Sequence, residues 1–427
     1  KDYYYVSTTD HYGPMYHPWV FNFNLITSAV YLEESARNLK NVINLACSNV
    51  SLNNFAFPRG FAFHSDVTGE NKLNRFSLLP SNAHSNAVYG FRAYTADEVV
   101  KVKKLLHEAT QKKQIRLEEE QKAVALVEEI FNDKESFKCT NYADQITRAN
   151  CSIWKKVLPN TRKKINFVYL EQEVIVARLL IEKHLNEKTT VSRIIFDQKS
   201  EELLIKYFAG LPEMFSRRDK LGTYLFWAQP KAGKAGNRLR LWKDGSFLVS
   251  EDGSYKVELA PEALERALKS KELIPSVLLT FIVLCFYYGL KCFGGLGQIN
   301  YLPLLKEAYV KMQKDLGRFE SAGACAVTET DNLGGEVTTA LVSSKTNGTA
   351  PATSFDFMIY GNEKTWPTFV EQSKVLTLEE AILPMFSEDY FMLYPIAERD
   401  PVLASITAKE ITSIIGLDKK IQSCVNM

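Results

Sequence analysis

The chain has 427 residues, 46% of them hydrophobic and 24% charged, and its 52 basic and 50 acidic side chains give a formal net charge of +2. This length allows two or three cores, or one large α/β unit with insertions. Because the charge is so evenly balanced, the chain as a whole has no electrostatic attraction to nucleic acid or to an acidic membrane. We therefore expect a small-molecule substrate and no nucleic-acid partner.

Cysteine usage favours a cytoplasmic protein. The seven cysteines are odd in number, scattered along the chain, and include no C-x-x-C pair. This pattern predicts reduced thiols and argues against a disulfide scaffold or a metal site. The chain begins at Lys1 without a charged and then apolar leader, although a leader removed earlier stays an open alternative.

The most apolar stretch runs from Leu273 to Leu290. Its eighteen residues reach the lower limit for a bilayer span, but Pro275, Ser276, Thr280 and two tyrosines dilute it. A helix that is buried on all sides in a large α/β protein has the same pattern. We predict such a buried helix, and no membrane function.

The N-terminal part predicts one β-loop-α-β unit. The order is a strand from Tyr3 to Thr8, a loop from Asp10 to Pro18, a helix from Trp19 to Leu39 and a strand from Asn41 to Cys47. With a parallel second strand this is a right-handed crossover. The loop then lies at the carboxyl end of a strand, where open α/β sheets bind ligands.

Four polar or titratable side chains lie within that first loop: Asp10, His11, Tyr12 and His17. Histidine moves protons near neutral pH, and the following helix offers free N–H groups to an anion. We name Asp10, His11 and His17 as candidate catalytic residues and Tyr12 as a candidate substrate-binding residue. The alternative is that His17 only marks the helix entrance and that His11 is a hydrogen-bonded loop residue.

The loop after the second predicted strand, Ser48 to Gly60, is rich in amides. Asn49, Asn53 and Arg59 are candidate substrate-binding residues there, although Asn and Ser also favour turns for local reasons. Cys47 ends the strand at the same edge, which allows a nucleophilic role. A lone cysteine with apolar neighbours and no visible base is usually inert.

A helical segment follows, over residues 96–150. Thr95 and Glu98 form a capping box, and the polar middle from Gln111 to Lys122 predicts that the helix projects from the body there or breaks. A projecting helical hairpin used for self-association, giving a homodimer, is one interpretation; a solvated helix is the other. Because no heptad repeat is sustained, a long coiled coil is not established.

Alternating elements return in the remaining part, residues 151–427. Strands are predicted from Ile165 to Leu170, from Val191 to Phe196 and over "SFDFMIY", and a small antiparallel meander over residues 223–259. Helices are predicted from Glu171 to Leu185, from Ser200 to Gly210, from Pro261 and from Ala408 to Leu417. With the first 95 residues, this makes an α/β protein in three parts: 1–95, 96–150 and 151–427.

The segment "KCFGGLGQINY" carries the remaining candidates. Glycine lets a backbone turn sharply or approach a ligand closely, and the following helix N-terminus favours anions. The candidate substrate-binding residues are Gly294, Gly295, Gln298, Asn300 and Tyr301. The alternative is a tight connection between two buried helices, with glycine chosen for packing.

This segment resembles the C-terminal signature of the cysteine-adding enzyme family of bacillithiol biosynthesis. That signature has a Ser-Pro-Asn-Val-Leu-Leu-Arg-Pro element, a long apolar helix, and then Gly-Gly-Pro-Gly-Glu-Ile-Ala-Tyr-Trp. The N-terminal loop is also similar to the family's first loop, which ends in Gly-Pro-Leu-Tyr. The residues that match are Gly13, Pro14, Tyr16, Pro275, Val277, Leu278, Leu279, Gly294, Gly295, Gly297, Ile299 and Tyr301.

The resemblance implies a Rossmann-like parallel-sheet core with a helical appendage, and a homodimer. It also implies a ligase-like enzyme that joins an amino acid or other carboxylate to an amine or transfers an activated group. Thr280 and Gln298 stand where the family has an arginine and a glutamate. No nucleotide-binding loop is readable, so the resemblance alone implies ATP. The alternative function is a non-catalytic small-molecule-binding or assembly protein on the same fold.

Overall fold

The computed structural model describes residues 6–33, 41–54, 56–69, 71–158, 165–218, 220–229, 238–344, 348–394 and 396–427. The β-strands of these residues are β1 (Val6–Ser7), β2 (Asn41–Ala46), β3 (Gly60–Ser65), β4 (Lys72–Ser77), β5 (Asn166–Glu171), β6 (Phe226–Ala228), β7 (Leu239–Asp244), β8 (Phe247–Ser250), β9 (Lys256–Glu258), β10 (Leu273–Pro275), β11 (Leu341–Ser344), β12 (Gly348–Pro351) and β13 (Val425–Asn426).

The α-helices are α1 (Pro18–Glu33), α2 (Ala96–Gln111), α3 (Leu117–Phe131), α4 (Tyr142–Val157), α5 (Gln172–Leu179), α6 (Thr190–Phe196), α7 (Gln198–Phe208), α8 (Pro261–Lys269), α9 (Val277–Phe281), α10 (Leu296–Asp315), α11 (Phe319–Ala326), α12 (Ser354–Tyr360), α13 (Thr365–Ser373), α14 (Leu378–Ile382), α15 (Phe386–Leu393), α16 (Pro401–Ser405), α17 (Ala408–Ile414) and α18 (Leu417–Lys420). Helices α5 and α9 continue into π-helical turns at Leu180–His184 and Ile282–Tyr287. Short 3-10 turns lie at Ser81–Ala83, Ser136–Lys138, Leu383–Met385 and Ile396–Glu398.

A parallel sheet of order β1-β2-β5 lies at the centre of the molecule. Val6 pairs with Ile43, and Asn41 pairs with Asn166, in each case between parallel strands. The predicted parallel second strand and the predicted strand from Ile165 are therefore confirmed. Residues 3–5 of the predicted first strand and residues 34–39 of the predicted first helix lie outside the described residues.

Both faces of this sheet are buried, each against a different apolar cluster. On β2, Val42 and Ala46 pack into a first core built from helices α1 to α4, α12 and strand β3. Leu45 instead joins a second core built from α5 to α10 and strands β6 to β8. Because alternate side chains of a strand point to opposite faces, one short strand connects the two cores.

The predicted meander is confirmed as an antiparallel sheet, of order β10-β6-β7-β8-β9. Its tight connection at Asp244-Gly245 follows the sequence signal, since Gly245 adopts a positive φ of 58°. The stretch predicted as one buried helix begins instead as strand β10, which pairs with β6. None of the helices in the described ranges is both long and apolar enough to cross a membrane.

The helical segment is a hairpin, but it does not project. It breaks between α2 and α3, and its capping box at Thr95 and Glu98 is confirmed. At the break Ile115 is buried in the first core, and Glu119 accepts a hydrogen bond from Ser65 Oγ at 2.7 Å. Most residues between Gln111 and Lys122 are exposed, as their composition indicates, and Ile115 and Glu119 are the buried ones that attach the break to the body.

Two predicted strands are helices. Val191 to Phe196 belongs to α6, and "SFDFMIY" is α12; their N-cap residues Thr189 and Thr353 each form a capping box. In α6 the buried side chains include Val191, Ile194 and Ile195, which is the spacing of a helix face. Short apolar runs fit a strand or a buried helix equally well, so the capping residues are the feature of the sequence that indicates a helix here.

The aromatic contact that joins β3, α3 and α12 gives a test of the first core. Phe61 is fully buried, and its ring centroid lies 4.3 Å from that of Phe355 and 5.9 Å from that of Phe131. We expect Phe61→Ala to destabilise the protein by about 3–5 kcal/mol, because it leaves a cavity. The shift of the urea unfolding midpoint measures this effect.

Phe319→Ala is the matched control, because this side chain is 70% exposed. Its effect should stay within about 0.5 kcal/mol. Equal shifts for the two variants would show that this aromatic cluster does not hold the three elements together.

Candidate functional site

The carboxyl ends of the three parallel strands meet at one edge of the sheet. The pairing of β1 with β2 continues past the strands, because Cys47 N donates to Asp10 O at 2.8 Å and Tyr12 N donates to Cys47 O at 2.8 Å. Glu171 is the last residue of β5. The edge therefore gathers the loop after β1, the loop after β2 and the start of α5.

Asp10 is buried at this edge. Its Oδ2 accepts a hydrogen bond from the Tyr169 hydroxyl of β5 at 2.7 Å. Burial raises the pKa of the Asp10 carboxyl to about 7, against the smaller lowering effect of the Tyr169 hydrogen bond. The ring of Tyr12 lies 4.7 Å from that of Tyr169, so the two tyrosines shield the carboxyl from water. A carboxyl in this state can both give and take a proton near pH 7.

Glu171 is a second buried carboxyl at the same edge. Burial raises its pKa to about 7, and the nearby Lys271 opposes this rise. Lys271 Nζ lies 4.0 Å from Glu171 Oε2. The other oxygen, Oε1, is buried and finds no hydrogen-bond partner within the described part of the chain. That oxygen is thus placed to accept a hydrogen bond from a ligand.

Both carboxylate oxygens of Glu173, by contrast, accept hydrogen bonds from within the protein. Its carboxylate accepts hydrogen bonds from Ser48 N at 2.8 Å, Ser48 Oγ at 2.7 Å, Asn49 N at 3.1 Å and Cys47 Sγ at 3.2 Å. This side chain fastens the loop after β2 to the start of α5. Burial, followed by the charge of Glu173, raises the pKa of the Cys47 thiol, so Cys47 is a poor nucleophile.

Asn49 is held between two parts of the chain. Its Nδ2 donates to Pro275 O at 3.1 Å, while Arg238 Nη1 donates to both Asn49 O and Asn49 Oδ1 at 2.6 Å. The Arg238 guanidinium also lies over the Trp227 ring, 4.7 Å from its centroid. The second loop is thereby joined to the antiparallel sheet, and a cation is fixed beside the buried carboxylate of Glu173.

A groove of about 400 Å³ opens beside Glu171. Lys271 lies between Glu171 and the groove, since its Nζ also lies over the ring of Tyr89, 5.2 Å from the ring centroid. The groove combines apolar walls with three cationic side chains and one carboxylate, a composition suited to a small amphipathic ligand with an anionic group. Its lining residues are Tyr89, Val174, Ala177, Arg178, Ile181, Glu182, Leu268, Lys269 and Lys271.

The two histidines of the first loop lie near the same edge, and burial favours the neutral form of both. His11 Nδ1 is 3.3 Å from Asn54 Oδ1, and burial lowers the pKa of His11. Burial also lowers the pKa of His17 to about 3, with smaller contributions from His11 and Arg75. Among the three candidate catalytic residues, Asp10 is the one whose pKa is raised towards neutral.

The remaining candidates of the second loop are Asn53 and Arg59. Asn53 is exposed. Arg59 is half-buried, with its guanidinium 5.4 Å from the centroid of the Phe57 ring. Its Nε and Nη1 are buried and find no hydrogen-bond partner in the part of the chain that is described. Arg59 thus keeps donors that a ligand could use.

The glycine segment lies at the same edge as the first loop. Thr8 N donates to Phe293 O at 2.9 Å, and Phe293 N donates to Val6 O at 2.8 Å. Gln298 is engaged at both ends of its amide: Oε1 accepts from Thr8 Oγ1 at 2.9 Å, and Nε2 donates to Cys292 Sγ at 3.3 Å. Asn300 is exposed and Tyr301 is half-buried. The segment is the predicted turn into a helix, and Gln298 ties it to the end of β1.

The carboxylate of Glu336 explains why residue 295 is a glycine. A Cβ on Gly295 would collide with the Glu336 carboxylate, and Glu336 Oε2 accepts a hydrogen bond from Leu296 N at the start of α10. Burial raises the pKa of Glu336 to about 7. Because a carboxylate already occupies this helix start, the turn does not fit a nucleotide phosphate, and Gly294 and Gly295 serve packing here.

Sequence reasoning missed Glu171, Glu173 and Lys271. Glu171 follows a predicted strand directly, so the rule that selected Asp10 would have selected it too. Lys271 comes from the connection between α8 and β10, and no sequence signal places it beside Glu171. Within the described ranges no group of three or more His, Cys, Asp or Glu side chains is arranged to hold a metal ion.

No protein-family model matches this chain, and a comparison with curated protein sequences finds no significant match. The similarity to the cysteine-adding enzyme family therefore rests on the residues quoted above and stays a prediction.

Asp10→Asn tests the buried carboxyl through the pH dependence of stability. The pKa of Asp10 is raised in the folded state from 3.8 to about 7. The folded state thus binds the proton more tightly, and stability falls as the pH rises from about 4 through about 7. Relative to Asp10→Asn, the wild type should lose roughly 2–4 kcal/mol between about pH 4 and about pH 8.

Urea unfolding at a series of pH values measures this difference. Asp97→Asn is the control, because Asp97 is exposed in the first turn of α2 and should leave the slope unchanged. A wild type and an Asp10→Asn variant with parallel pH profiles would contradict the assignment.

Proposed function

We propose that this protein is a small-molecule enzyme whose reaction takes place at the carboxyl edge of a Rossmann-like parallel sheet. The observation that carries the proposal is the pair of buried carboxyls, Asp10 and Glu171, each with its pKa raised to about 7. They follow β1 and end β5, the strands on either side of β2. Strongly perturbed carboxyls beside a groove are typical of acid–base catalysis, because each can exchange a proton at neutral pH.

The substrate we propose carries an amine and an anionic group. Lys271, within 4.0 Å of Glu171, would bind a carboxylate from the groove. The unpartnered Oε1 of Glu171 would accept a hydrogen bond from the amine. An amine must lose its proton before or as it attacks carbon, and an ionised Glu171 takes that proton.

The reaction class is the transfer of an activated group to that amine, in line with the ligase-like resemblance. Asp10, held by the Tyr169 hydroxyl, serves as the second proton-transfer group. Arg59 has free donors for a polar part of the substrate. In this proposal a second substrate brings the activated group, since the glycine turn does not fit a phosphate. The amine attacks that group, the bond to its leaving group breaks, and protonated Asp10 gives its proton to the leaving group. A homodimer through residues 96–150 belongs to the same set of predictions.

A non-catalytic binding protein on the same fold is the second candidate. It is favoured by Gln298, which is neutral where the resembling family has a glutamate and whose amide is engaged by Thr8 and Cys292. A binding protein would keep the groove and would not need the raised pKa values of the carboxyls.

A thermal-shift screen with amino acids, amines and sugar phosphates, each with and without nucleotide, tests the proposal. We expect at least one ligand that carries both an amine and an anion to raise the melting temperature. Glu171→Gln should weaken the binding of that ligand about tenfold or more, because the variant loses a charge-assisted hydrogen bond.

Glu187→Gln, at an exposed position after the π-helical turn that follows α5, should bind as the wild type does. Equal affinity for Glu171→Gln and Glu187→Gln would overturn the role of Glu171. If such a ligand binds but no activated group is transferred to its amine, the result would favour the non-catalytic protein.

A further inference from the structure

The thiols of Cys285 and Cys292 lie side by side next to the glycine turn. Their sulfur atoms are 3.8 Å apart, and both side chains are buried. Cys285 lies in the π-helical turn Ile282–Tyr287 that continues α9. At Gly289, with a φ of 69°, the chain reverses, and Gly289 N donates to Cys285 O at 3.1 Å. The backbone itself therefore brings the second thiol back to the first.

A line of hydrogen bonds connects this thiol pair to the end of β1. Cys292 Sγ accepts from Gln298 Nε2 at 3.3 Å, and Gln298 Oε1 accepts from Thr8 Oγ1 at 2.9 Å. Thr8 lies two residues before Asp10. Any displacement of the Cys292 sulfur thus removes the acceptor that holds Gln298, and with it one tie between α10 and β1.

The two thiols differ in acidity. The hydrogen bond from Cys285 lowers the pKa of Cys292, and Thr8 and Gln298 lower it further against the effect of burial. The hydrogen bond to Cys292 and burial raise the pKa of Cys285. Cys325, a third buried thiol nearby, has its pKa raised to about 12 by burial. Cys292 is therefore the sulfur that ionises most readily and attacks first.

We propose that Cys285 and Cys292 form a reversible disulfide by exchange with a low-molecular-weight disulfide, and that this releases Gln298 from Cys292. The Cys292 thiolate attacks one sulfur of the small disulfide and expels the other as a thiolate. Cys285, on losing its proton, attacks the Cys292 sulfur and expels the second small thiolate. Two protein thiols are oxidised, one small disulfide is reduced to two thiols, and the expelled thiolates take up the protons.

Formation of the bond requires a movement that the local structure allows. The sulfurs must close from 3.8 Å to a bond length of about 2.05 Å. Gly289 and Lys291 are exposed, and the positive φ of Gly289 marks the turn that would open to admit the small disulfide. We expect the Cys292 sulfur, which accepts the hydrogen bond from Gln298, to move. The oxidised state then shifts the turn and leaves Gln298 with a poorer hydrogen-bond acceptor.

The first test is chemical and uses the intact wild-type chain without substrate, so its result does not depend on the proposed function. The protein is equilibrated with reduced and oxidised glutathione in varied ratio, alkylated, digested with trypsin and analysed by mass spectrometry. Lys291 lies between the two cysteines, so trypsin separates them into two peptides that stay linked only by a disulfide. We expect this linked pair, reversed by excess reduced glutathione. A link from either cysteine to Cys325, or mixed disulfides alone, would overturn the proposal.

The second test measures the coupling to β1 by hydrogen exchange. In the oxidised wild type, amides of Thr8 to Asp10 and Gly294 to Ile299 should exchange about fivefold faster, the factor expected for one lost net hydrogen bond. Cys292→Ser keeps an acceptor for Gln298 and cannot form the bond, so its exchange should not respond to oxidant. Cys325→Ala should respond as the wild type does. A disulfide that leaves exchange in both segments unchanged would overturn the coupling.

Discussion

The structure depends on β2, the middle strand of the parallel sheet. Its alternate side chains enter two different cores, so the strand cannot shift its register by one residue without exposing both sets. Its parallel neighbours β1 and β5 are then fixed in register, and their carboxyl ends meet at one edge. The candidate site is a consequence of this arrangement, because Asp10, Cys47 and Glu171 all belong to residues that follow or end these strands.

At this edge the fold holds carboxyls away from water, and Asp10, Glu171 and Glu173 differ in the groups that they contact. Glu173 receives hydrogen bonds from Ser48, Asn49 and Cys47, which make it part of the framework. Burial still raises the pKa of Glu173, and these hydrogen bonds oppose that rise. Asp10 receives one from the Tyr169 hydroxyl and one from the His11 backbone. Glu171 has the cation of Lys271 at 4.0 Å and a hydrogen bond from the Ser48 side chain. Glu173 thus accepts four hydrogen bonds from its own loop, whereas Glu171 keeps one buried oxygen, Oε1, without a hydrogen-bond partner among the described residues. That difference separates a structural role from a chemical one.

Local patterns predicted the parts of the fold that local physics decides. The strand-loop-helix order selected β1 and β2 and placed Asp10 and His11 at the correct edge, and the capping box at Thr95 marked the start of α2. The same reasoning failed for α6 and α12, because six or seven apolar residues satisfy a strand and a buried helix alike. The polar middle of the hairpin predicted a projection or a break, and the break is found; the contact of Glu119 with Ser65, which holds the hairpin against the body, left no signal in the sequence. Lys271 and Arg238 reach the edge from distant segments, and such long-range contacts leave no periodic trace in one sequence.

The central claim is that the carboxyl edge holds two buried carboxyls that titrate near neutral pH. Carbon-13 NMR of protein labelled at the aspartate and glutamate carboxyl carbons measures it directly, with Asp10→Asn and Glu171→Gln identifying the two signals. The account predicts that each identified signal titrates near pH 7, as the raised pKa values of about 7 require. Titration of both signals at their ordinary values near 4 would contradict it, because the edge would then be open to water and its carboxyls unsuited to the proposed proton transfers.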